Sequence, residues 1–410
     1  MIDSVAYLSM HTSPLAQPGT GHAGGMNVYV HELSETMADR DIEVVVFTRR
    51  TTVDQPEIVE HRPGYRVVYV DAGPPRDLTV EELPEFVAQF AEGVIDWIRR
   101  TETRCDVIHS HYWLSGWAGV LVKEAIGVPL INSFHTLGRV KDRTRRADEP
   151  LTAPIRTLTE VEVLARSDGI VASTPHEVDD LVAHYGADPD RLYVSPPGVD
   201  HIVFSPGDRA ASRNWLGLGD EPLILFVGRI QAHKGIDIAM GALAKLPDRV
   251  AAGKGPPHLV IVGGPSGRRG EVELASLHQF ARDHSLTERV DFISAQPHTT
   301  LADFYRAADV LVMPSRSESF GLVAAEAQAC GLPVVASDVG GLRFVVADGF
   351  SGIVVDRLEP AAFADALRNV LDDPAGMARL ATGAVANAEK FSWRSTARRL
   401  LDLYAGAQHP

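Results

Sequence analysis

Residues 223–235 read LILFVGRIQAHKG. A short apolar run, Leu223–Val227, is closed by Gly228 and followed by a helical pattern that begins near Lys234. An apolar run of this length, followed by glycine and a helix, is typical of one βα unit in a buried parallel sheet. The segment therefore predicts that a fresh parallel sheet begins in the second half of the chain.

Similar apolar runs alternate with helical patterns along the whole chain, which predicts an α/β fold with two Rossmann-like domains facing a central cleft. The runs are Val44–Phe47, Val67–Val70, Val107–Ile108, Pro129–Ile131, Gly169–Val171, Leu259–Val262, Val310–Val312 and Pro333–Ala336. Proline and glycine interrupt the pattern at residues 195–200 and 205–208. We place the domains at residues 1–200 and 201–392, and the amphipathic residues 393–407 are compatible with packing on either domain, the first included.

Composition narrows the class of protein. The chain has 410 residues and a net charge of 39 − 54 = −15, which argues against nucleic acid as a partner. Cys105 and Cys330 are its only cysteines, so we expect no disulfide framework and a cytoplasmic location. The sequence shows neither a signal peptide nor a membrane span, and it leaves a homodimer open.

A glycine-rich loop follows the first strand, and residues 18–27 read PGTGHAGGMN. Free backbone amides before the helical pattern Val28–Met37 suit a phosphate group. The spacing does not make a dinucleotide-binding fingerprint, because no acidic residue follows a second strand in the ribose-binding position. The alternative interpretation is a flexible turn without a ligand.

Two cations and two carboxylates suggest a phosphate and sugar site. Arg229 and Lys234 lie five residues apart on one loop and could clamp a diphosphate. Glu318 and Glu326 flank a small apolar run that predicts a buried helix, with Glu318 at its N-terminal edge. The alternatives are a solvated basic loop and a Glu318 that only caps the helix.

These segments together resemble the family-4 retaining glycosyltransferases of the GT-B fold, over nearly the whole chain and in the same order. The resemblance is carried by Gly24-Gly25, by Arg229 with Lys234, and by Glu318-Ser319-Phe320-Gly321 followed by Glu326. Residues 9–15, SMHTSPL, and 108–116, IHSHYWLSG, resemble more narrowly the MshA-like branch of mycothiol biosynthesis, which uses inositol 3-phosphate as the acceptor.

The resemblance implies a role for each donor-side residue. Arg229 and Lys234 neutralise the departing diphosphate, Glu318 holds the transferred sugar, and His135 approaches the sugar hydroxyls. The remaining donor-binding residues are Gly24, Gly25, Gly264, Ser319, Phe320, Gly321 and Glu326, of which Glu326 binds the ribose. A phosphate oxygen of the leaving group accepts the acceptor's proton, so no catalytic base is expected. We expect no bound cofactor beyond the nucleotide sugar and no metal site, and a need for a divalent metal is left open.

On the acceptor side the sequence departs from that branch. Tyr112, Thr136 and Arg156 match its acceptor-phosphate contacts, and Asn27 is a further candidate. Val80, however, stands where the branch has a phosphate-binding lysine. His22 replaces an acid, and residues 132–134, NSF, also differ.

Since valine cannot replace an ammonium group opposite a phosphate, we expect a different small polar acceptor, such as a carboxylate-bearing thiol or betaine. Ergothioneine, in an antibiotic pathway, is one candidate. The alternative is N-acetylglucosamine transfer from UDP to inositol 3-phosphate, while the base, uracil or guanine, stays open.

Three other classes fit less well. A nucleotide-sugar epimerase should carry additional acids for proton removal, a non-catalytic binding protein should lack the donor carboxylates, and a dehydrogenase needs the missing dinucleotide fingerprint.

Overall fold

The computed structural model describes residues 2–19, 23–147, 149–251, 255–267 and 269–408. Residues 20–22 of the glycine-rich loop, including His22, lie outside this set. The described chain forms two α/β domains, each built around one sheet.

The first sheet has eight strands in the order β3-β4-β2-β1-β5-β6-β7-β8, all parallel except for the edge hairpin β3–β4. Its elements are β1 Ser4–Leu8, α1 Gly25–Ala38, β2 Glu43–Arg49, β3 Ile58–Arg62, β4 Tyr65–Val70, α2 Val87–Arg100, β5 Val107–His111, α3 Trp113–Ile126, β6 Leu130–Ser133, α4 Gly138–Thr144, α5 Pro154–Arg166, β7 Gly169–Ala172, α6 Pro175–Tyr185 and β8 Leu192–Val194.

The second sheet has six parallel strands in the order β11-β10-β9-β12-β13-β14. Its elements are α7 Arg209–Leu216, β9 Leu223–Val227, α8 Ile236–Leu243, β10 His258–Val262, α9 Gly270–Asp283, β11 Val290–Ile293, α10 His298–Ala307, β12 Val310–Met313, α11 Leu322–Ala329, β13 Val334–Ser337, α12 Leu342–Val345, β14 Gly352–Val355, α13 Pro360–Leu371 and α14 Pro374–Ala388. Short 3-10 helices lie at Leu83–Phe86, Pro189–Arg191, Ala232–Lys234 and Thr287–Arg289.

The last helix, α15 Trp393–Ala407, packs against the first sheet. Trp393, Leu400 and Tyr404 are buried with Tyr7 and Tyr29 in one apolar cluster. A hydrogen bond from Thr396 Oγ1 to the Pro196 carbonyl (2.7 Å) ties the start of this helix to the segment between the two sheets. The amphipathic pattern of residues 393–407 is thereby explained, because its apolar stripe covers a face of the N-terminal sheet.

Two predicted details of local structure are corrected. Helix α11 begins at Leu322 with Gly321 as its N-cap, so Glu318 lies four residues before the helix and does not cap it. The helix predicted near Lys234 begins at Ile236, because Ala232–Lys234 forms a 3-10 turn that Gly235 ends in the left-handed conformation.

Candidate active site

The strand order of each sheet places the predicted donor residues together. The order reverses between β1 and β5 in the first sheet and between β9 and β12 in the second. Ligands of open α/β sheets bind beyond the carboxyl ends of the strands at such reversal points. The glycine-rich loop follows β1, Arg229 follows β9 and Glu318 follows β12, so both reversal points contribute to one interdomain site.

Arg229 extends across the domain interface to the glycine-rich loop. A Cβ atom added to Gly24 would lie 3.4 Å from Cζ and Nε of Arg229, and one added to Gly25 would lie 3.3 Å from Leu322 Cδ1. Burial lowers the pKa of the Arg229 guanidinium, an effect that Glu318 opposes. Within the described part of the chain, Arg229 forms no ion pair, and it is a partly buried cation at the N-terminus of α1, with the Glu318 carboxylate close enough to favour its charge.

Lys234 and Glu318 form an ion pair, with Nζ 2.7 Å from Oε2. Gly235 brings the two loops together, because its φ is +73° and a Cβ there would lie 1.9 Å from the Pro314 carbonyl oxygen. Both charged side chains keep about a fifth of their surface exposed, at 21% and 16%. The pair can therefore open toward a ligand that offers Lys234 a phosphate and Glu318 a hydroxyl group.

His135 follows β6 in a left-handed conformation, with φ +60°. Its Nε2 lies 3.0 Å from Nδ1 of the buried His111, and its ring meets Tyr29 edge-on. Burial lowers the pKa of His135 to about 3, so the ring is neutral at physiological pH. The Ser319 hydroxyl donates to the His135 carbonyl at 2.5 Å, which joins the two domains at this point.

Glu326 is buried in α11, with 5% of its surface exposed. The Tyr305 hydroxyl donates to its Oε2 at 2.9 Å, yet burial raises the pKa of Glu326 to about 8. Phe320 is also buried and packs edge-on against Phe391. Gly321 turns the chain into α11 with φ +106°.

Gly264, on the loop after β10, lies next to the glycine-rich loop of the other domain. A Cβ added to Gly264 would be 3.4 Å from the Gly19 carbonyl oxygen. The Gly264 carbonyl accepts a hydrogen bond from the Ile230 amide at 2.9 Å, which fixes the loop that carries Arg229. The predicted donor residues therefore lie around one site, while their binding roles remain predictions.

We expect Glu326→Gln to stabilise the protein increasingly as pH rises from 4.5 to 8. In this window the wild-type carboxyl stays protonated in the folded state but ionises in the unfolded state, so wild-type stability falls with pH. Glutamine does not titrate and can still accept from Tyr305. The difference between the two proteins should grow by at most about 1.4 kcal/mol per pH unit in urea unfolding. A difference that is independent of pH would show that Glu326 is ionised in the folded protein.

Arg156 is the centre of the predicted acceptor side. Its Nε donates to Glu160 at 2.8 Å, one η nitrogen donates to the Tyr112 hydroxyl at 3.1 Å, and the other donates to the Thr136 hydroxyl at 3.0 Å. Although burial opposes the charge, Tyr112 and Glu160 raise the pKa of Arg156. The structure thus brings Tyr112, Thr136 and Arg156 together, and it compensates the charge of Arg156 with a buried carboxylate.

Among the described residues, the side-chain amide of Asn27 makes all of its hydrogen bonds inside its own domain. Its Nδ2 donates to the Thr12 hydroxyl (2.7 Å) and the Ser13 carbonyl (2.6 Å), and its Oδ1 accepts from the Gly24 amide (2.9 Å). Only 1% of its surface is exposed. In this structure Asn27 positions the glycine-rich loop, and contact with an acceptor stays a prediction.

Val80 packs its side chain against the apolar core of the first domain. Lys141 on α4 interacts electrostatically with Glu81, the residue after Val80, and forms no ion pair among the described residues. Although part of the Lys141 side chain reaches solvent, desolvation by the surrounding protein lowers its pKa, and Arg156 and Arg229 lower it further, while Glu149 and Glu81 oppose the shift. Lys141 is therefore a cation on the acceptor side, near the segment that holds Val80.

Three further cations near Lys141, namely Arg139, Arg145 and Arg146, have structural partners. Arg139 stacks on Tyr185, with its Cζ 4.7 Å from the ring centre, and Arg145 donates to the Glu149 carbonyl at 2.8 Å. Arg146 makes a bidentate contact with Glu273 of the second domain, at 2.9 and 3.0 Å. Arg146 therefore bridges the two domains.

Sequence reasoning missed three residues that support the site: Glu160, Tyr305 and His111. Glu160 pairs with Arg156 and also accepts from the Gly138 amide at 3.0 Å. Its spacing of four residues from Arg156 within one helix was a signal for an ion pair. The partners of Tyr305 and His111 lie in other elements, so no local pattern indicates them.

His109 and His111 are both fully buried in β5. The Nδ1 of His109 lies 2.6 Å from the Tyr404 hydroxyl of α15. Neither histidine belongs to a group of metal-ligating side chains within the described ranges. No helix in these ranges combines the length and the apolar character needed to cross a membrane.

Two family models match the chain. Residues 24–198 match a glycosyl transferase 4-like domain, and residues 208–390 match the glycosyl transferases group 1. A D-inositol 3-phosphate glycosyltransferase of Xylanimonas cellulosilytica is 48% identical, over 98% of this chain and 96% of that protein. The enzyme of the same name from Streptosporangium roseum is 45% identical, over 99% of this chain and 94% of that protein.

Solved glycosyltransferase structures share the fold over the full length. Sucrose-phosphate synthase of Thermosynechococcus elongatus superposes with a TM-score of 0.91 at 32% identity, over 98% of both chains. HepE of Anabaena superposes with a TM-score of 0.79 at 18% identity, over 98% of this chain and 99% of that one, which is a likeness of fold alone. The predicted fold is confirmed: this chain belongs to the GT-B glycosyltransferase family that includes the D-inositol 3-phosphate glycosyltransferases.

Proposed function

We propose that the chain is a retaining glycosyltransferase that moves a sugar from a nucleotide diphosphate sugar to a small polar acceptor, in a pocket altered from that of the inositol 3-phosphate enzymes. The position of Arg229 is the observation that supports a nucleotide diphosphate sugar as the donor. Arg229 forms no ion pair among the described residues and faces the N-terminus of α1, and an anionic ligand between them would interact favourably with both.

The other donor residues complete the binding of a diphosphate sugar. When a diphosphate occupies the site, Lys234 turns its ammonium group from Glu318 to a phosphate oxygen. Glu318 then accepts hydrogen bonds from the sugar hydroxyls, and Glu326 accepts from the ribose. Neutral His135 has Nε2 engaged with His111, which leaves Nδ1 for a sugar hydroxyl.

The chemistry proposed for this site depends on position and charge. Arg229 and Lys234 stabilise the negative charge that grows on the diphosphate as the glycosidic bond breaks. The acceptor attacks from the same face, and a phosphate oxygen of the leaving group accepts its proton. No carboxylate nucleophile is needed, which agrees with a pairing of Glu318 that places it beside the cations.

Charge balance supports an acceptor with less negative charge than a phosphate dianion. Glu160 compensates Arg156, and Val80 contributes no charge, so Lys141 supplies positive charge on this side, where Glu149 and Glu81 partly offset it. One cation matches one carboxylate, as in a carboxylate-bearing thiol or betaine such as ergothioneine. The names of the relatives at 45–48% identity favour the second candidate, N-acetylglucosamine transfer from UDP to inositol 3-phosphate.

Val80→Lys separates the two candidates. If the pocket is altered, the new ammonium group should raise kcat/KM for inositol 3-phosphate at least about tenfold, since a charge-assisted contact contributes ~1.5–3 kcal/mol. Val80→Met adds length without charge and should not reproduce the gain. The measurement is product formation by mass spectrometry with each acceptor. A wild-type protein that already prefers inositol 3-phosphate, with no gain in Val80→Lys, would reject the altered pocket.

A further inference from the structure

Three metal-ligating side chains meet away from the donor residues. They are His31 and Glu35 on α1 and His61 on β3, and one potential ligand atom of each lies within 4.8 Å of the others. Imidazole nitrogens and a carboxylate oxygen are the ligands that Zn²⁺ and similar ions prefer when thiolates are absent. His61 is thirty residues from His31 in sequence, so no local spacing indicates this cluster.

Helix α1 supplies two of the ligands from one face. His31 and Glu35 are separated by four residues, about one helical turn, so their side chains project on the same side. The Nε2 of His61 lies 2.7 Å from Oε1 of Glu35. The rings of His31 and His61 meet edge-on with their centres 5.1 Å apart.

The third ligand comes from an irregular point of the edge hairpin. Glu60 pairs with Arg66 and Arg62 pairs with Tyr65, so the ladder skips His61, which occupies a β-bulge. Bulges redirect a side chain relative to the regular alternation of a strand. Here the His61 ring lies against Glu35 and His31 of α1. Without the bulge, His61 would follow the regular alternation of side chains along β3.

Neighbouring groups hold two ligands in place. Arg62 donates to Oε2 of Glu35 at 2.6 Å and to Asp39 at 2.7 Å, which leaves Oε1 on the side of His61. The Tyr65 hydroxyl lies 3.4 Å from Nδ1 of His31. Outer contacts that fix carboxylate and imidazole orientation are a regular feature of metal sites.

We propose that His31, Glu35 and His61 form a binding site for a divalent transition-metal ion of the Zn²⁺ class, with water in the fourth position. The ion ties the hairpin β3–β4 to α1, the helix whose first turn carries Gly25 next to the donor site. Its role is structural, because the ion stabilises the folded state that presents three ligands together. The site is independent of the proposed acceptor and of the transfer reaction.

The test is a metal titration of the untagged, chelator-treated full-length protein. We expect one equivalent of Zn²⁺ to bind by calorimetry, one equivalent of Co²⁺ to give ligand-field absorption in the visible range, and Zn²⁺ to raise the Tm. His31→Ala, His61→Ala and Glu35→Gln should each weaken binding at least about tenfold and reduce the rise in Tm. Circular dichroism of each metal-free variant shows that the fold is kept.

A second histidine and carboxylate set on α6 provides the matched control. His176 and His184 lie 3.7 and 3.6 Å from the carboxylate of Asp180. His176→Ala/His184→Ala should bind Zn²⁺ with wild-type affinity. The proposal is overturned if His31→Ala/His61→Ala binds as tightly as the wild type, or if the loss appears in the α6 variant instead.

Discussion

Arg229→Ala should lower kcat/KM for the nucleotide sugar by about 10²- to 10³-fold, or ~2.7–4 kcal/mol of transition-state stabilisation. The guanidinium is partly buried, forms no ion pair among the described residues, and lies against the glycine-rich loop. Negative charge that develops there loses its strongest fixed partner in the variant. Steady-state kinetics with varied donor concentration measures the effect, which should fall mainly on kcat if the contact strengthens in the transition state.

Lys234→Ala should lower kcat/KM for the nucleotide sugar by a similar factor, but this variant also disturbs the free enzyme. Removal of the ammonium group leaves Glu318 without its ion-pair partner in the free enzyme. Lys245→Ala, an exposed cation in the same domain, is the control and should keep wild-type kinetics. Equal activity of Arg229→Ala and Lys245→Ala would contradict the assignment of the donor site.

Arg156→Ala should lower the free energy of unfolding by about 3–5 kcal/mol, because it leaves the buried Glu160 carboxylate without its countercharge. Glu160 has no exposed surface and receives the Arg156 Nε at 2.8 Å. The adjacent loop is also affected, because Arg156 donates to the Thr136 carbonyl at 2.9 Å. Urea unfolding followed by circular dichroism measures the change.

Two further variants separate the buried charge from other effects. Arg156→Ala/Glu160→Gln should recover part of the lost stability, since a neutral amide still accepts from Gly138 and carries no unpaired charge. Arg166→Ala removes two exposed pairs, with Glu162 on the same helix and with Glu124 on α3, and should cost about 0.2–1 kcal/mol for each. Equal losses in Arg156→Ala and Arg166→Ala would contradict the buried ion pair.

Much of the fold follows from local pattern. All nine apolar runs identified in the sequence overlap strands of the structure, because strands buried on both faces are continuously apolar. Strands β3, β8, β11 and β14 were not identified, and their residues are mostly exposed or half-buried, so they carry no fully buried run. Gly321 was not recognised as the start of α11, because an N-cap glycine has no side-chain signature.

The site was predictable only as far as each residue acts through its own loop. Arg229, Lys234 and Glu318 are brought together as expected, since each follows a strand end at a reversal point. Asn27 holds the glycine-rich loop in place through the Gly24 amide. That role depends on hydrogen bonds from Asn27 to Thr12 and Ser13, which no sequence spacing connects to it. The cluster of His31, Glu35 and His61 needs a bulge in an edge hairpin, which sequence periodicity does not indicate.

Product analysis of the wild-type protein tests the central claim most directly. The protein is incubated with UDP-N-acetylglucosamine and other nucleotide sugars, and each is paired with inositol 3-phosphate, ergothioneine and other small acceptors. Mass spectrometry identifies the glycoside, and NMR gives its anomeric configuration. We predict a product with the configuration of the donor and, for the altered pocket, a product with an acceptor other than inositol 3-phosphate. An inverted product, or nucleotide release without a glycoside on any acceptor, would contradict retaining transfer by this site.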